Sequence, residues 1–139
     1  MIVNIDGGAR GNPGPAGFGV CFAEADGRVL AEFSEAIGVT TNNVAEYRGL
    51  LAALRYAVDC GFADLTVRSD SLLLVCQMRG EYRVKNAGLR PLHAEAQRLV
   101  AQIGRVRFEH VRREANAEAD RLANEAMDVQ EEAEARKAD

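Results

Sequence analysis

Residues 1–36, MIVNIDGGARGNPGPAGFGVCFAEADGRVLAEFSEA, decide the fold because they contain three predicted strands in hairpin order. The first strand is followed by residues 7–19, which contain six glycines and two prolines, a composition that predicts a tight loop. The second and third strands are joined through Asp26-Gly27, a dipeptide typical of two-residue hairpin turns. The chain therefore begins with an antiparallel unit.

Beyond residue 36 the pattern changes, and strands alternate with helices. Residues 43–60 carry apolar side chains at helical spacing and are followed by Gly61, a typical helix-ending residue. A hairpin unit followed by this alternation predicts an α/β fold with a mixed sheet, antiparallel on one side and parallel on the other. The predicted strands cover residues 1–6, 18–25, 28–36, 64–69 and 105–111, and the predicted helices cover residues 43–60, 71–79, 89–103 and 116–128.

The length of 139 residues predicts one domain, formed by residues 1–128. Residues 129–139 are polar and charged, and we predict a flexible C-terminal tail there. The composition is that of a globular protein, and no apolar run approaches the ~20 residues of a membrane span. The chain opens directly as a strand and lacks the features of a signal peptide, so we expect a cytoplasmic protein.

Three cysteines, Cys21, Cys60 and Cys76, show no metal-binding spacing. We interpret them as buried thiols in a reducing compartment, and one disulfide is the alternative.

The net charge of −4 is unevenly distributed along the chain. Residues 79–113 hold nine basic and three acidic side chains, whereas the segments on either side are acidic. This middle segment is the candidate footprint for a phosphate backbone. The alternative for any single arginine there is a solvated helix face.

Four carboxylates occupy positions that suit a metal site. Asp6 and Asp70 end predicted strands, while Glu46 and Asp120 lie in early turns of predicted helices. Four clustered negative charges raise one another's pKa, and a divalent cation with oxygen ligands resolves that repulsion. Two such ions about 3.5–4 Å apart can activate water and stabilise a leaving oxygen.

Each carboxylate also has a structural interpretation. Asn43 and Glu46 fit a capping box, in which the glutamate bonds back to the helix cap. Asp70 fits an ordinary helix cap, and Asp120 fits a charge that complements the helix dipole. Asp6 is the hardest to explain structurally, because it precedes Gly7-Gly8 at an open strand edge.

Four motifs in order resemble those of type 1 ribonucleases H. They are Asp6–Gly17 (DGGARGNPGPAG), Thr41–Glu46 (TNNVAE), Ser69–Ser71 (SDS) and Asn116–Ala123 (NAEADRLA). Their order and spacing match the family over residues 1–128, which would then be the ribonuclease H catalytic domain. The combined match is specific, although each short motif alone would not be.

The resemblance implies a ribonuclease H-like fold with a five-stranded sheet in order 3-2-1-4-5 and helices on both faces. It implies endonucleolytic hydrolysis of the RNA strand of RNA–DNA hybrids by two Mg²⁺ ions, with Mn²⁺ as a substitute, leaving 5′-phosphate and 3′-hydroxyl ends. Asp6 would bridge the ions, Glu46 and Asp70 would complete one shell, and Asp120 would hold the other ion, whose water attacks the phosphate.

The same resemblance implies the residues that contact the hybrid. Asn12, Asn42 and Asn43 would read the minor groove and the RNA 2′-hydroxyls, a role that suits side chains that both donate and accept hydrogen bonds. Arg10 in the first motif and Lys85 in the basic segment are further candidate substrate contacts. Double-stranded RNA is a possible second substrate, and nothing in the sequence indicates an obligate protein partner.

Two departures from the best-known members make the sequence resemble the archaeal-like branch of the family. Only residues 80–88 separate the second and third helices, so the family's additional basic helix is absent and Arg79, Arg83 and Lys85 would be a reduced substitute. The family's loop histidine is replaced by Arg113, which could stabilise phosphate charge but cannot shuttle protons. His110 alternates with Phe108, so we expect it to pack, and we expect His93 to be structural.

Two other classes of function compete with the enzyme. A non-catalytic hybrid-binding module would be favoured by loss of a carboxylate ligand, but all four are present. A nucleotide-binding protein that uses the glycine loop is disfavoured, because the loop lacks the Gly-Lys-Ser/Thr ending of a P-loop and two prolines remove amide donors.

Overall fold

A computed structural model describes residues 1–138 as a five-stranded sheet in the order β3-β2-β1-β4-β5. The β1–β2 and β2–β3 pairs are antiparallel, and the β1–β4 and β4–β5 pairs are parallel. The predicted mixed sheet and its order are confirmed. The strands are β1 (Ile2–Ala9), β2 (Gly14–Ala23), β3 (Val29–Thr40), β4 (Asp64–Ser69) and β5 (Arg105–His110).

Four α-helices cover the two faces of this sheet. They are α1 (Asn42–Asp59), α2 (Leu72–Met78), α3 (Arg90–Ile103) and α4 (Ala117–Lys137), and a 3₁₀ turn over Arg113–Asn116 precedes α4. The main core lies between the sheet and α1, α2 and α3. Helix α4 packs on the opposite face through its buried apolar stripe, Ala119, Leu122, Ala123, Ala126 and Met127. None of the helices within residues 1–138 combines the length and apolar character needed to cross a bilayer.

Glycines let the helices approach the central strands at backbone distance. A Cβ on Gly7 would lie 2.5 Å from the carbonyl group of Ala45 in α1. A Cβ on Gly19 would lie 2.5 Å from the carbonyl oxygen of Ala119 in α4. Real Cβ atoms do not approach that closely, so these glycines bring α1 and α4 against opposite faces of the strands β1 and β2.

The predicted loop over residues 7–19 is therefore wrong. Strand β1 continues to Ala9 and β2 begins at Gly14, so only Arg10–Pro13 form the turn. Composition favoured a loop because glycine is usually a turn residue. Here several of the glycines are strand residues whose missing side chains leave room for helices.

The helix ends also differ from prediction. The cap of α1 is Thr41, whose Oγ1 accepts a hydrogen bond from the amide of Val44 at 3.3 Å, so the predicted capping box at Asn43 is wrong. Ser71 caps α2, so Asp70 is not the cap.

Helix α4 ends at Lys137 and not near Asp128, so residues 129–137, which we predicted to lie in a flexible tail beyond the last helix, are helical. Asp139 lies outside the described residues. The side chain of Gln130 is buried, and its Oε1 accepts from the amide of Gly38 in β3 at 2.9 Å. Ion pairs of Glu132 with Arg136 and of Glu134 with Lys137 lie along the exposed side of the last turns.

The cysteine prediction is partly confirmed. Cys21 and Cys76 are buried and all three thiols are free, but Cys60 is exposed at the end of α1.

Candidate active site

Two carboxylates lie side by side where the parallel strands β1 and β4 separate. The last residues paired between these strands are Ile5 and Ser69. Asp6 directly follows Ile5, and Asp70 directly follows Ser69. Both acids therefore lie at the carboxyl end of the parallel pairing between β1 and β4. This is the edge at which open α/β sheets bind ligands.

Asp120 reaches the same edge because a buried asparagine holds the start of α4 against β1. Asn116 is 1% exposed; its Nδ2 donates to the carbonyl of Ile5 at 2.9 Å, and its Oδ1 accepts from Asn4 at 2.8 Å. Asp120 lies one turn beyond Asn116 on α4. The side chain of Asn124 then donates to the carbonyl of Asp120 at 2.9 Å.

Glu46 reaches the cluster from the other face, in the first turns of α1. The missing Cβ of Gly7 allows this turn to lie against β1, with the amide of Glu46 2.7 Å from the position that a Cβ would occupy. One carboxylate oxygen, Oε2, is buried and has no hydrogen-bond partner within the described residues. A buried carboxylate oxygen without a partner is costly, and a cation would remove that cost.

Burial and mutual repulsion hold these acids towards their protonated forms. Desolvation, followed by the charges of Asp70 and Asp120, raises the pKa of Asp6 to about 8. Burial raises the pKa of Glu46 to about 7, although a hydrogen bond from Ser71 opposes the shift. Desolvation also raises the pKa of Asp70, despite the opposing charge of Arg113. The cluster thus carries more negative charge than the protein alone accommodates at neutral pH.

The carboxylates open onto a cleft of about 670 Å³. Asp6, Asp70 and Asp120 line it together, while Glu46 lies behind this lining. Within residues 1–138, no group of three or more acidic, cysteine or histidine side chains is arranged so that it could hold a metal ion. The charge and the unpaired oxygen of Glu46 nevertheless suit hard divalent cations that also keep water or substrate ligands.

Of the three predicted asparagines, only Asn42 is among the residues that line this cleft. Asn42 lines it, and the Oδ1 of Asn42 accepts from the amide of Ala9 at 2.7 Å. Asn12, in the β1–β2 turn, accepts at its Oδ1 from the amide of Asn42 at 3.0 Å. The next residue of α1, Asn43, is exposed. The structure therefore brings all three to the region where β1 meets α1.

The two predicted basic contacts lie elsewhere. The guanidinium of Arg10 crosses to α4, where it pairs with Asp128 and Glu131. Lys85 is exposed and lines a second cavity of about 550 Å³ with Tyr82 and Arg83.

The two histidines have different surroundings. His110 is exposed and lines the cleft, with its Nε2 3.2 Å from the carbonyl oxygen of Asp70, so the predicted packing position is wrong. It is the last residue of edge strand β5, so the side chain projects beyond the core that buries Phe108. His93 is structural as expected, since its Nε2 lies 3.2 Å from the carbonyl of Gln77 and its ring packs edge-on against Tyr47.

Arg113 supplies positive charge at the cleft. Its side chain is 77% exposed, and its Nη2 lies 3.5 Å from Oδ1 of Asp120. It is therefore close to the carboxylates and still accessible to a ligand. Sequence reasoning missed Asn124, which also lines the cleft; its position four residues after Asp120 on one helix face was the available signal.

Comparison with known proteins gives consistent matches. A family model described as reverse transcriptase-like matches residues 4–126. The chain is similar to the N-terminal ribonuclease H domain of Rv2228c from Mycobacterium tuberculosis, with 50% identity and a TM-score of 0.90 over 96% of this chain and 98% of that one. Ribonuclease H1 from Halobacterium salinarum shares 42% identity, with a TM-score of 0.87 over 91% and 96% of the two chains. LC11-ribonuclease H1 in complex with an RNA/DNA hybrid shares 45% identity, with a TM-score of 0.88 over 91% and 96%.

This chain spans only part of the length of the first curated relatives that it matches. It is 51% identical over 130 residues to the bifunctional protein Rv2228c of Mycobacterium tuberculosis, which covers 93% of this chain but 36% of the relative. It is 43% identical over 124 residues to ribonuclease HI of Halobacterium salinarum, which covers 89% of this chain and 62% of the relative.

The raised pKa of Asp6 predicts how Asp6→Asn changes stability without divalent cations. Because its pKa is higher in the folded state, Asp6 contributes most to stability below about pH 4, and this contribution is lost as pH rises to about 8. Asparagine does not ionise, so the variant does not lose this stability as the pH rises. We expect the Tm difference between variant and wild type to grow from near zero at pH 4 to about 3 °C or more at pH 8.

Calorimetry in EDTA across this pH range measures the difference. Glu35→Gln removes an exposed carboxylate of β3 and is the matched control for the loss of one acidic side chain. A lower Tm for Asp6→Asn at pH 8 would contradict the electrostatic description of the cluster.

Proposed function

The chain belongs to the ribonuclease H family, and we propose that it is an endonuclease that hydrolyses the RNA strand of RNA–DNA hybrids, leaving 5′-phosphate and 3′-hydroxyl ends. The observation that carries the proposal is the open cleft lined by Asp6, Asp70 and Asp120, with the unpaired Glu46 oxygen behind it. The hybrid is the substrate class because a 45% identical ribonuclease H1 is described in complex with one.

We propose that the four carboxylates hold two divalent cations, with Mg²⁺ as the physiological ion and Mn²⁺ as a substitute. In this assignment the side chains of Asp6, Glu46, Asp70 and Asp120 would hold the ions. When bound, such ions supply the positive charge that activates water and stabilises the leaving oxygen. The raised pKa values of Asp6 and Glu46 support this assignment, because the cations would return both groups to their charged forms.

The asparagines are suited to recognise the RNA strand. The Oδ1 atoms of Asn12 and Asn42 accept hydrogen bonds from backbone amides, so their NH₂ groups remain as donors. A 2′-hydroxyl or a base edge in the minor groove offers acceptors for such donors. Asn43 is exposed beside them and adds a third polar contact. We propose that these three residues distinguish the RNA strand from DNA.

Arg113 is proposed to stabilise charge on the scissile phosphate. It stands beside Asp120, and its charge opposes the rise that burial causes in the pKa of Asp70, so its guanidinium lies within the field of the cluster. Its high exposure leaves it accessible to substrate. A planar guanidinium can contact two phosphate oxygens at once. His110 is placed to orient the Asp70 backbone through the contact with its carbonyl.

The proposed activity is tested with short end-labelled RNA–DNA, RNA–RNA and DNA–DNA duplexes in Mg²⁺ or Mn²⁺. Wild type should cut the RNA strand of the hybrid, and Asp70→Asn should lose at least about 10²-fold in kcat because it removes a proposed metal ligand. The control Glu35→Gln should keep wild-type turnover. Absence of hybrid cleavage by a folded wild-type protein with bound metal would refute the proposal, and cleavage of RNA–RNA would widen the substrate class.

Asparagine variants separate recognition from folding. In an Asp70→Asn background, Asn12→Ala and Asn43→Ala should each weaken hybrid binding by about 0.5–1.5 kcal/mol, the worth of one neutral hydrogen bond. Because Thr41 is the helix cap, Thr41→Ala should lower the free energy of unfolding by about 0.5–2 kcal/mol. Asn43→Ala should leave it nearly unchanged. Fluorescence anisotropy measures the affinity for the hybrid, and urea unfolding measures the free energy of unfolding. Unchanged affinity in both asparagine variants would show that Asn12 and Asn43 do not contact the groove.

Arg113 and His110 have separable effects on turnover. Arg113→Ala should reduce kcat tenfold or more, about 1.4 kcal/mol of barrier, and Arg113→Lys should recover only part of this loss. His110→Ala should reduce kcat less, since it removes one contact to a backbone carbonyl. Single-turnover kinetics with circular dichroism as a folding control measures both. If a folded His110→Ala variant lost catalysis while Arg113→Ala kept normal turnover, His110 and not Arg113 would be the residue that serves the phosphate.

A further inference from the structure

Arg10 connects the β1–β2 turn to the far half of α4. Its Nη1 pairs with the carboxylates of Asp128 and Glu131, and its Nη2 lies 3.2 Å from Oδ1 of Asn124. Its backbone amide donates to the carbonyl of Pro15 at 2.9 Å, which closes the turn. The guanidinium is thus held by three side chains of one helix.

The same turn carries a proposed substrate contact. Asn12 is two residues beyond Arg10 and accepts from the amide of Asn42, whose own Oδ1 bonds the amide of Ala9. The turn is therefore attached to α1 through the asparagines and to α4 through Arg10. These attachments set the position of Asn12 relative to Asp120, which lies on α4 one turn before Asn124.

The charge around Arg10 argues against a phosphate contact. Two carboxylates neutralise its single charge, and an approaching phosphate would meet both of them. Isolated exposed ion pairs contribute little, but a guanidinium shared by two carboxylates and an amide is a network with defined geometry. Glu131 is available only because α4 continues beyond residue 128.

We infer that Arg10 is a positioning residue that acts through Asp128 and Glu131 to hold the Asn12 turn in register with α4. It does not contact the hybrid itself. This inference rests on the proposed function, because its effect is seen as recognition of the hybrid. It also gives a role to Glu131, which lies in the C-terminal extension of α4 beside the buried Gln130.

A positioning role and a phosphate-binding role for Arg10 predict opposite effects on KM when Asp128 and Glu131 are substituted. If Arg10 positions the turn, Asp128→Asn/Glu131→Gln should raise KM for the hybrid about threefold or more, as Arg10→Gln does, with kcat nearly unchanged. The combined variant should be no worse than either alone, because all three residues form one unit. If Arg10 binds phosphate, removing the two acids should lower KM.

Salt dependence gives an independent measurement. A lost phosphate contact reduces the slope of log Kd against log salt by about 0.9, whereas a lost positioning contact leaves the slope unchanged. The matched control is Glu125→Gln/Glu132→Gln, which removes two carboxylates of α4 that pair with Arg121 and Arg136 on the same helix. It should leave KM at the wild-type value.

The outcomes separate the inference from the proposed function. A wild-type protein that does not cleave hybrids refutes the function. If the wild type cleaves hybrids, three results would each overturn the positioning role alone. They are a lower KM in the acidic double variant, a reduced salt slope in Arg10→Gln, and additive effects of the Arg10 and acidic substitutions on KM. A raised KM in the acidic double variant, an unchanged slope and non-additivity support it. Exchange of the amide hydrogen of residue 10, which donates to the carbonyl of Pro15, should be faster in both Arg10→Gln and the acidic double variant.

Discussion

Helices α1 and α4 approach opposite faces of the central strands more closely than any side chain larger than hydrogen permits. Gly7 admits the first turns of α1, and Gly19 admits the start of α4. These helices carry Glu46 and Asp120, while the strands between them lead to Asp6 and Asp70. The positions of Glu46 and Asp120 relative to the strands therefore each depend on a missing Cβ atom. A methyl group at either position would displace a helix backbone and, with it, a carboxylate.

The cluster is unfavourable for the protein by itself and is tolerated because the rest of the fold is well packed. Desolvation and like charge raise the pKa of Asp6 and Glu46, and one oxygen of Glu46 has no partner within the described residues. Away from the carboxylates, the large core between β1, α1 and α3 contains fully buried aromatic and aliphatic side chains. This arrangement, with strain concentrated at a site and stability supplied elsewhere, is common where a protein binds ions or reacting groups.

Local pattern predicted much of the architecture. The strand at Asp64–Ser69 and the apolar stripes of α1 and α4 follow directly from residue periodicity, and the sheet order follows from the family resemblance. The errors have a shared cause. Glycines predicted a loop where they are packing positions, and polar residues after Asp128 predicted a tail where Gln130 bonds to Gly38. In each case a partner far along the chain overrides the local preference.

The sequence by itself determined which groups could bind metal and where each stands on its own element. Asp70 directly follows β4, Asp6 lies within β1 just past the last residue that pairs with β4, and helical spacing places Asp120 beside a buried stripe. Only the tertiary structure decided how His110, Arg10 and Asn116 are used. His110 projects past the core from an edge strand, and Arg10 pairs with acids more than a hundred residues away. Contacts of that kind depend on how helices and strands pack in three dimensions, and no local periodicity encodes them.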